Sequence, residues 1–200
     1  SAISVKNAPI IDSKPATSKW IELMQDGFYN GKEIVLGYGG YYKKSGLLNK
    51  LIRFETFLSA LQYLSYALAG MPYMGVGRNL AYKKTLFFNN KGFSMHNQLQ
   101  GGDDDLFINR VATNSNTAIV IDEDAFTYSE PKTRWSTWRS QKARHYTTSK
   151  YYKGVHKFLL ALFAFSHFLF YPLFVLSILF LNWWMALSIF GFRLLVQGII

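Results

Sequence analysis

Apolar and polar positions divide the chain into three stretches of different character. Between Phe158 and Leu181 the run FLLALFAFSHFLFYPLFVLSILFL holds no charged residue. At about 1.5 Å per helical residue it is long enough to cross a hydrocarbon core of roughly 30 Å, which predicts a transmembrane helix. His167 and Pro172 within it read as a neutral histidine and a membrane-tolerated proline without a relay role. Asn182, Trp183 and Trp184 suit an interface belt, and the apolar stretch 185–200, which contains Arg193, reads as the start of a second transmembrane helix cut inside a membrane region.

The first 131 residues alternate helical and extended patterns, the signature of a mixed α/β domain. Thr17 or Ser18 is placed to cap a helix through Trp20, Ile21, Leu23 and Met24. EIVLGYG (Glu33 to Gly39) has the apolar run of a strand ending in glycines, and Leu47 to Leu68 fits a helix. The second half of that helix is too short for an ordinary span and belongs in a core or against a membrane surface. GVGRNLAY (Gly75 to Tyr82) predicts a strand with glycines at its start, and KKTLFFNNKGF a short helix and turn. TAIVID (Thr117 to Asp122) and AFTYSE (Ala125 to Glu130) read as two more short strands, with a helix beginning among the acids at 103–105.

Charge sharpens this division. The chain has 200 residues, half of them apolar, and a net charge of +10, and the segment 132–157 holds Lys132, Arg134, Arg139, Lys142, Arg144, Lys150, Lys153 and Lys157 without one acid. By the positive-inside rule this side of the span is cytoplasmic. Its aromatic residues would also suit stacking on bases, but a neighbouring membrane span makes anionic lipid headgroups, and not nucleic acid, the partner of such a segment. The absence of cysteine removes disulfide frameworks, thiolate zinc sites and thiol nucleophiles.

Three stretches have the makings of chemistry. Gly101-Gly102-Asp103-Asp104-Asp105 puts three carboxylates at the start of a helix, where one can act as a general base or all can cap the helix. The alternating ligands and closing glutamate of a calcium loop are missing. In Gln141-Lys142-Ala143-Arg144-His145, Gln141 and Arg144 fall three residues apart and share a helix face able to grip a phosphate, although a plain surface helix has the same look. In Gly75-Val76-Gly77-Arg78-Asn79 the small residues let a ligand approach the backbone, and the pattern of a nucleotide P-loop is absent.

Taken in order, glycine-rich segment, acidic triplet, Gln-x-x-Arg helix and apolar spans, the sequence resembles the membrane-bound family-2 glycosyltransferases, the group of cellulose, chitin and hyaluronan synthases. The resemblance implies an α/β fold: the C-terminal, acceptor-side part of a GT-A domain at 1–131, a basic interfacial helix at 132–157, a transmembrane helix at 158–181 and a truncated second one at 185–200. It implies an inverting transfer of sugar from a nucleotide-diphosphate donor to a lipid-linked or polysaccharide acceptor at the cytoplasmic membrane face. Asp104, with Asp103 beside it, takes the place of the catalytic base. Gln141 and Arg144 take that of the donor-diphosphate grip, with His145 where the family has tryptophan. Gly77, Arg78 and Asn79 line the acceptor side. Magnesium or manganese is the implied cofactor, held in part by Asp12, with Ile10 where a first aspartate would stand. The family's donor-binding half has no counterpart here, so the expectation is a C-terminal part that is inactive alone. The alternatives are a non-catalytic membrane protein that docks anionic lipid or a partner subunit through its basic juxtamembrane helix, and an inactive transferase remnant.

Overall fold

Four residues, Ile34–Gly37, form a strand (β3) that is buried along its whole length, as a continuous apolar run in a sheet covered on both faces should be. The computed structural model describes residues 3–6, 13–93 and 103–199. β3 sits inside a four-stranded sheet of order β1-β5-β3-β6, where β1 is Ile3–Lys6, β5 Leu80–Lys83 and β6 Thr117–Val120. It pairs antiparallel with β5 (Val35 opposite Ala81) and parallel with β6 (Val35 opposite Ala118). A second, three-stranded sheet has the order β2-β7-β4, with β2 at Ser13–Pro15, β4 at Gly39–Tyr41 and β7 at Thr127–Ser129.

Helices complete this first unit, which runs from Ser1 to Lys153. α1 (Trp20–Asp26) buries Trp20 and Met24 against Val35 and Ala81, with Phe28 and Val120 packed at the edge. α2 (Leu47–Leu68) has the limits predicted, and in its second half Ala60, Tyr63 and Leu64 are buried in a core while Leu58, Leu61 and Leu68 are exposed. α3 is Lys84–Asn89, α4 Asp103–Val111 and α5 Trp135–Thr148.

Three local predictions are corrected. The expected strand from Glu33 to Gly39 divides at Tyr38, so that β3 and β4 enter different sheets; the Tyr38 ring meets Phe126 and Phe57 edge-on at 4.9 and 6.4 Å. The expected strand from Gly75 begins only at Leu80, because the Asn79 N–H closes a turn onto the Val76 carbonyl (2.9 Å) instead of joining a ladder. Neither Thr17 nor Ser18 caps α1: the Thr17 hydroxyl accepts from the Lys19 N–H and donates to the Asp124 carbonyl, and Lys19 precedes the helix without a side-chain cap.

The second unit, Gly154–Ile200, contains α6 (Gly154–Phe180) and α7 (Trp183–Ile199). α6, with 27 residues, is long and apolar enough to cross a membrane, and none of its apolar window is buried within the protein. It begins four residues before Phe158 and runs unbroken through Pro172. α7 has 17 residues and a shorter apolar stretch, Trp183–Val196. The helices pack through stacked rings, Phe174 on Phe190 at 4.6 Å, and the Arg193 guanidinium lies over the Phe170 ring at 3.9 Å.

Candidate active site

The acidic triplet occupies the first turn of α4, where the helix dipole favours negative charge. The three carboxylates have different surroundings. Asp103 and Asp104 are half-buried, whereas Asp105 is buried at 6% exposure. Asp105 acts on a set of buried phenols: Tyr63, Tyr73 and Tyr152 all have their hydroxyls pushed up, by burial first and by Asp105 among the lesser causes. Asp104 reaches the glycine-rich segment. Its Oδ2 accepts the Gly77 N–H at 2.5 Å, and a Cβ on Gly77 would collide with the same oxygen. Glycine at position 77 is thus required by the approach of the carboxylate. Asp104 also helps to raise the Tyr82 hydroxyl, pushed up to about 12 mainly by burial.

Arg78 and Asn79, neighbours in sequence, do different work. The Arg78 guanidinium stacks over the Tyr41 ring at 4.2 Å and donates to the Gly40 carbonyl at 3.2 Å, while the Arg78 carbonyl accepts from the Thr127 hydroxyl. Asn79 is 1% exposed. Its Nδ2 donates to the carbonyls of Tyr38 and Ala125, both at 2.8 Å, and its Oδ1 accepts from Trp20 Nε1 at 3.0 Å. All of its polar groups are thereby engaged by the protein, so Asn79 ties β3, α1 and the segment before β7 together and offers nothing to an acceptor. Gly37 has no side chain for the same reason: a Cβ there would overlap the Asn79 amide.

α5 is largely polar apart from Trp135, Trp138 and Tyr146; Thr148 is its one fully buried residue, and the Trp138 indole nitrogen is buried as well. Two side chains seat it. Gln141 Nε2 donates to the Tyr41 hydroxyl at 3.4 Å, and Lys142 Nζ pairs with Glu55 Oε1 of α2 at 2.6 Å. Arg144 is exposed and, among the described residues, has no carboxylate partner. His145 has its imidazole held below the ordinary histidine pKa by desolvation first and then by Lys142, with Arg78 and Arg144 adding to the effect and Asp104 opposing it. That electrostatic reach brings the end of α5 to the neighbourhood of Asp104 and Arg78.

The structure therefore gathers Asp104, Gly77, Arg78, Gln141 and His145 in one region of the first unit, with Asp103 at the start of α4 and Arg144 exposed on α5. Asp12, Ile10, Gly101 and Gly102 lie outside the described residues. Among those described, no three His, Asp or Glu side chains converge as a metal site would require. Tyr41 and Glu55 went unnoticed in the sequence. Glu55 carried a signal, as the one acid on a 22-residue helix facing a segment of unbroken positive charge. Tyr41 carried none. No family model matches the chain, and no curated protein matches it.

Proposed function

We propose that this chain forms the acceptor-side part of an inverting glycosyltransferase that moves a sugar from a nucleotide-diphosphate donor to a lipid-linked or polysaccharide acceptor at the cytoplasmic membrane face. The observation that carries the reading is the hydrogen bond between Gly77 and Asp104, which joins two motifs singled out separately in the sequence. With Oδ2 held by the Gly77 amide, Oδ1 of Asp104 is the atom that takes the proton from an acceptor hydroxyl. The hydroxyl oxygen then attacks the anomeric carbon from the side opposite the nucleoside diphosphate, the bond to the diphosphate breaks, and negative charge develops on the departing group. Gln141 and Arg144 of α5 meet that charge. A magnesium or manganese ion, if held in part by Asp12 as expected, would supply further charge neutralisation on the diphosphate. The described carboxylates form no ligand cluster for such an ion, and Asp12, expected to hold it in part, lies outside the described residues.

The test is release of nucleoside diphosphate from a panel of nucleotide sugars by the full-length protein in detergent with magnesium or manganese. Release from one donor, abolished by Asp104→Asn, is the expected result. No release from any donor by folded protein would contradict the reading and favour the second one, docking on anionic lipid through α5. That alternative draws on the exposed cations Arg134, Arg139 and Arg144, and it predicts binding to vesicles of anionic lipid that salt weakens.

A further inference from the structure

Arg78 is a cation fixed in place before any ligand arrives. Its backbone is tied on both sides, by Gly77 to Asp104 and by Asn79 to three separate groups, and its own carbonyl accepts from Thr127. Its guanidinium rests on the Tyr41 ring and gives one N–H to the Gly40 carbonyl. A guanidinium has five N–H donors, and among the described residues no carboxylate pairs with this one. An arginine already held in place, with no carboxylate partner among the described residues, is suited to an anion that offers two oxygens to its fork, as a phosphate does. The surrounding charge points the same way: Lys142, Arg78 and Arg144 all disfavour protonation of His145, against Asp104 alone.

Resting on the transferase reading, we propose that Arg78 binds the diphosphate of the nucleotide donor and stabilises it as it leaves, and so belongs to the donor side of the site and not to the acceptor side. The reason is Tyr41. Its ring supports Arg78 and its hydroxyl receives Gln141, so one tyrosine sets the guanidinium beside the residue expected to hold the diphosphate. A phosphate of a lipid-linked acceptor would offer Arg78 the same chemistry, and the two sources are separable by experiment.

The experiment measures binding of UDP, GDP and inorganic pyrophosphate to the full-length protein in detergent, for the unaltered chain and for Arg78→Gln, Arg78→Lys and Tyr41→Leu, together with KM for donor and acceptor. Arg78→Gln should weaken the bound nucleoside diphosphate by about 10- to 100-fold, since a charged hydrogen-bonded contact is lost. Arg78→Lys should recover part of that loss by charge alone, and Tyr41→Leu should weaken binding several-fold by releasing the guanidinium. Thermal midpoints read alongside separate a folding defect from a binding defect, and the milder Arg78→Lys serves if Arg78→Gln does not fold. Unchanged diphosphate affinity in both Arg78 variants, or a rise confined to the acceptor KM, would overturn the proposal while leaving the transferase reading intact. Failure of the unaltered folded protein to bind any of the three probes would overturn both.

Discussion

α4 and α5 bring side chains to the same region but are held there in opposite ways. Six of the nine residues of α4 are buried, and Asn109 fixes it further by donating to the Tyr73 carbonyl at 2.7 Å and accepting the Lys153 N–H at 2.9 Å. Of the fourteen residues of α5 Thr148 alone is fully buried, with the Trp138 indole nitrogen also out of solvent, and among the described contacts one ion pair and one long hydrogen bond tie the helix to neighbouring elements. The proposed base therefore sits on a rigid element and the proposed diphosphate grip on a loosely held one. This is a reasonable division of labour for a site in which the base must meet its proton within hydrogen-bond reach while a product has to leave.

The contrast can be broken first at the rigid end. Gly77→Ala places a methyl group against Asp104 Oδ2 and should cut turnover by about 100-fold through displacement of the carboxylate, with little change in the thermal midpoint. Asn79→Leu is expected to show the reverse emphasis. It removes three side-chain hydrogen bonds, two of them buried, and leaves Trp20 Nε1 without its acceptor, so it should cost about 3 kcal/mol of stability, seen as a lowered unfolding midpoint, before any effect on chemistry.

At the loose end the effects are smaller. Lys142→Ala frees α5 from Glu55 and should raise the donor KM by a few-fold while kcat for saturated enzyme changes little. A stability loss as large as that of Asn79→Leu would show that α5 is as firmly fixed as α4. The smallest effect concerns pH. The folded protein holds the His145 imidazole below its ordinary pKa of about 6.5, so the unfolded chain binds the proton more readily. Stability is then complete above that value and declines as pH falls through it toward the lowered folded-state pKa. His145→Gln should remove that part of the acid sensitivity, measured as the difference in thermal midpoint between about pH 7.5 and pH 5.5.

Much of this arrangement was legible in the sequence, for reasons that differ by residue. The limits of α2 followed from a long helical period with no internal breaker, and α6 from its unbroken apolar run. The start of α4 among the acids followed from their preference for a helix N-terminus. The strand expected from Gly75 failed because local pattern cannot show that Gly77 answers to a carboxylate 27 positions away, or that Asn79 is a buried tie between three segments. The strand through Tyr38 failed for a related reason: Gly37 is a glycine on account of the Asn79 amide, not because a turn ends there. Arg78 and Asn79 looked alike as ligand-facing polar residues, and only tertiary contacts separate the anchored cation from the structural amide.

The central claim, that Asp104 is the base beside a diphosphate-binding grip, is tested most directly by following turnover and nucleoside diphosphate binding together in full-length Asp104→Asn. The account predicts that binding is retained while transfer falls by about 10³-fold, within the range expected for loss of a general base. Transfer at the unaltered rate, or loss of binding in step with transfer, would contradict it.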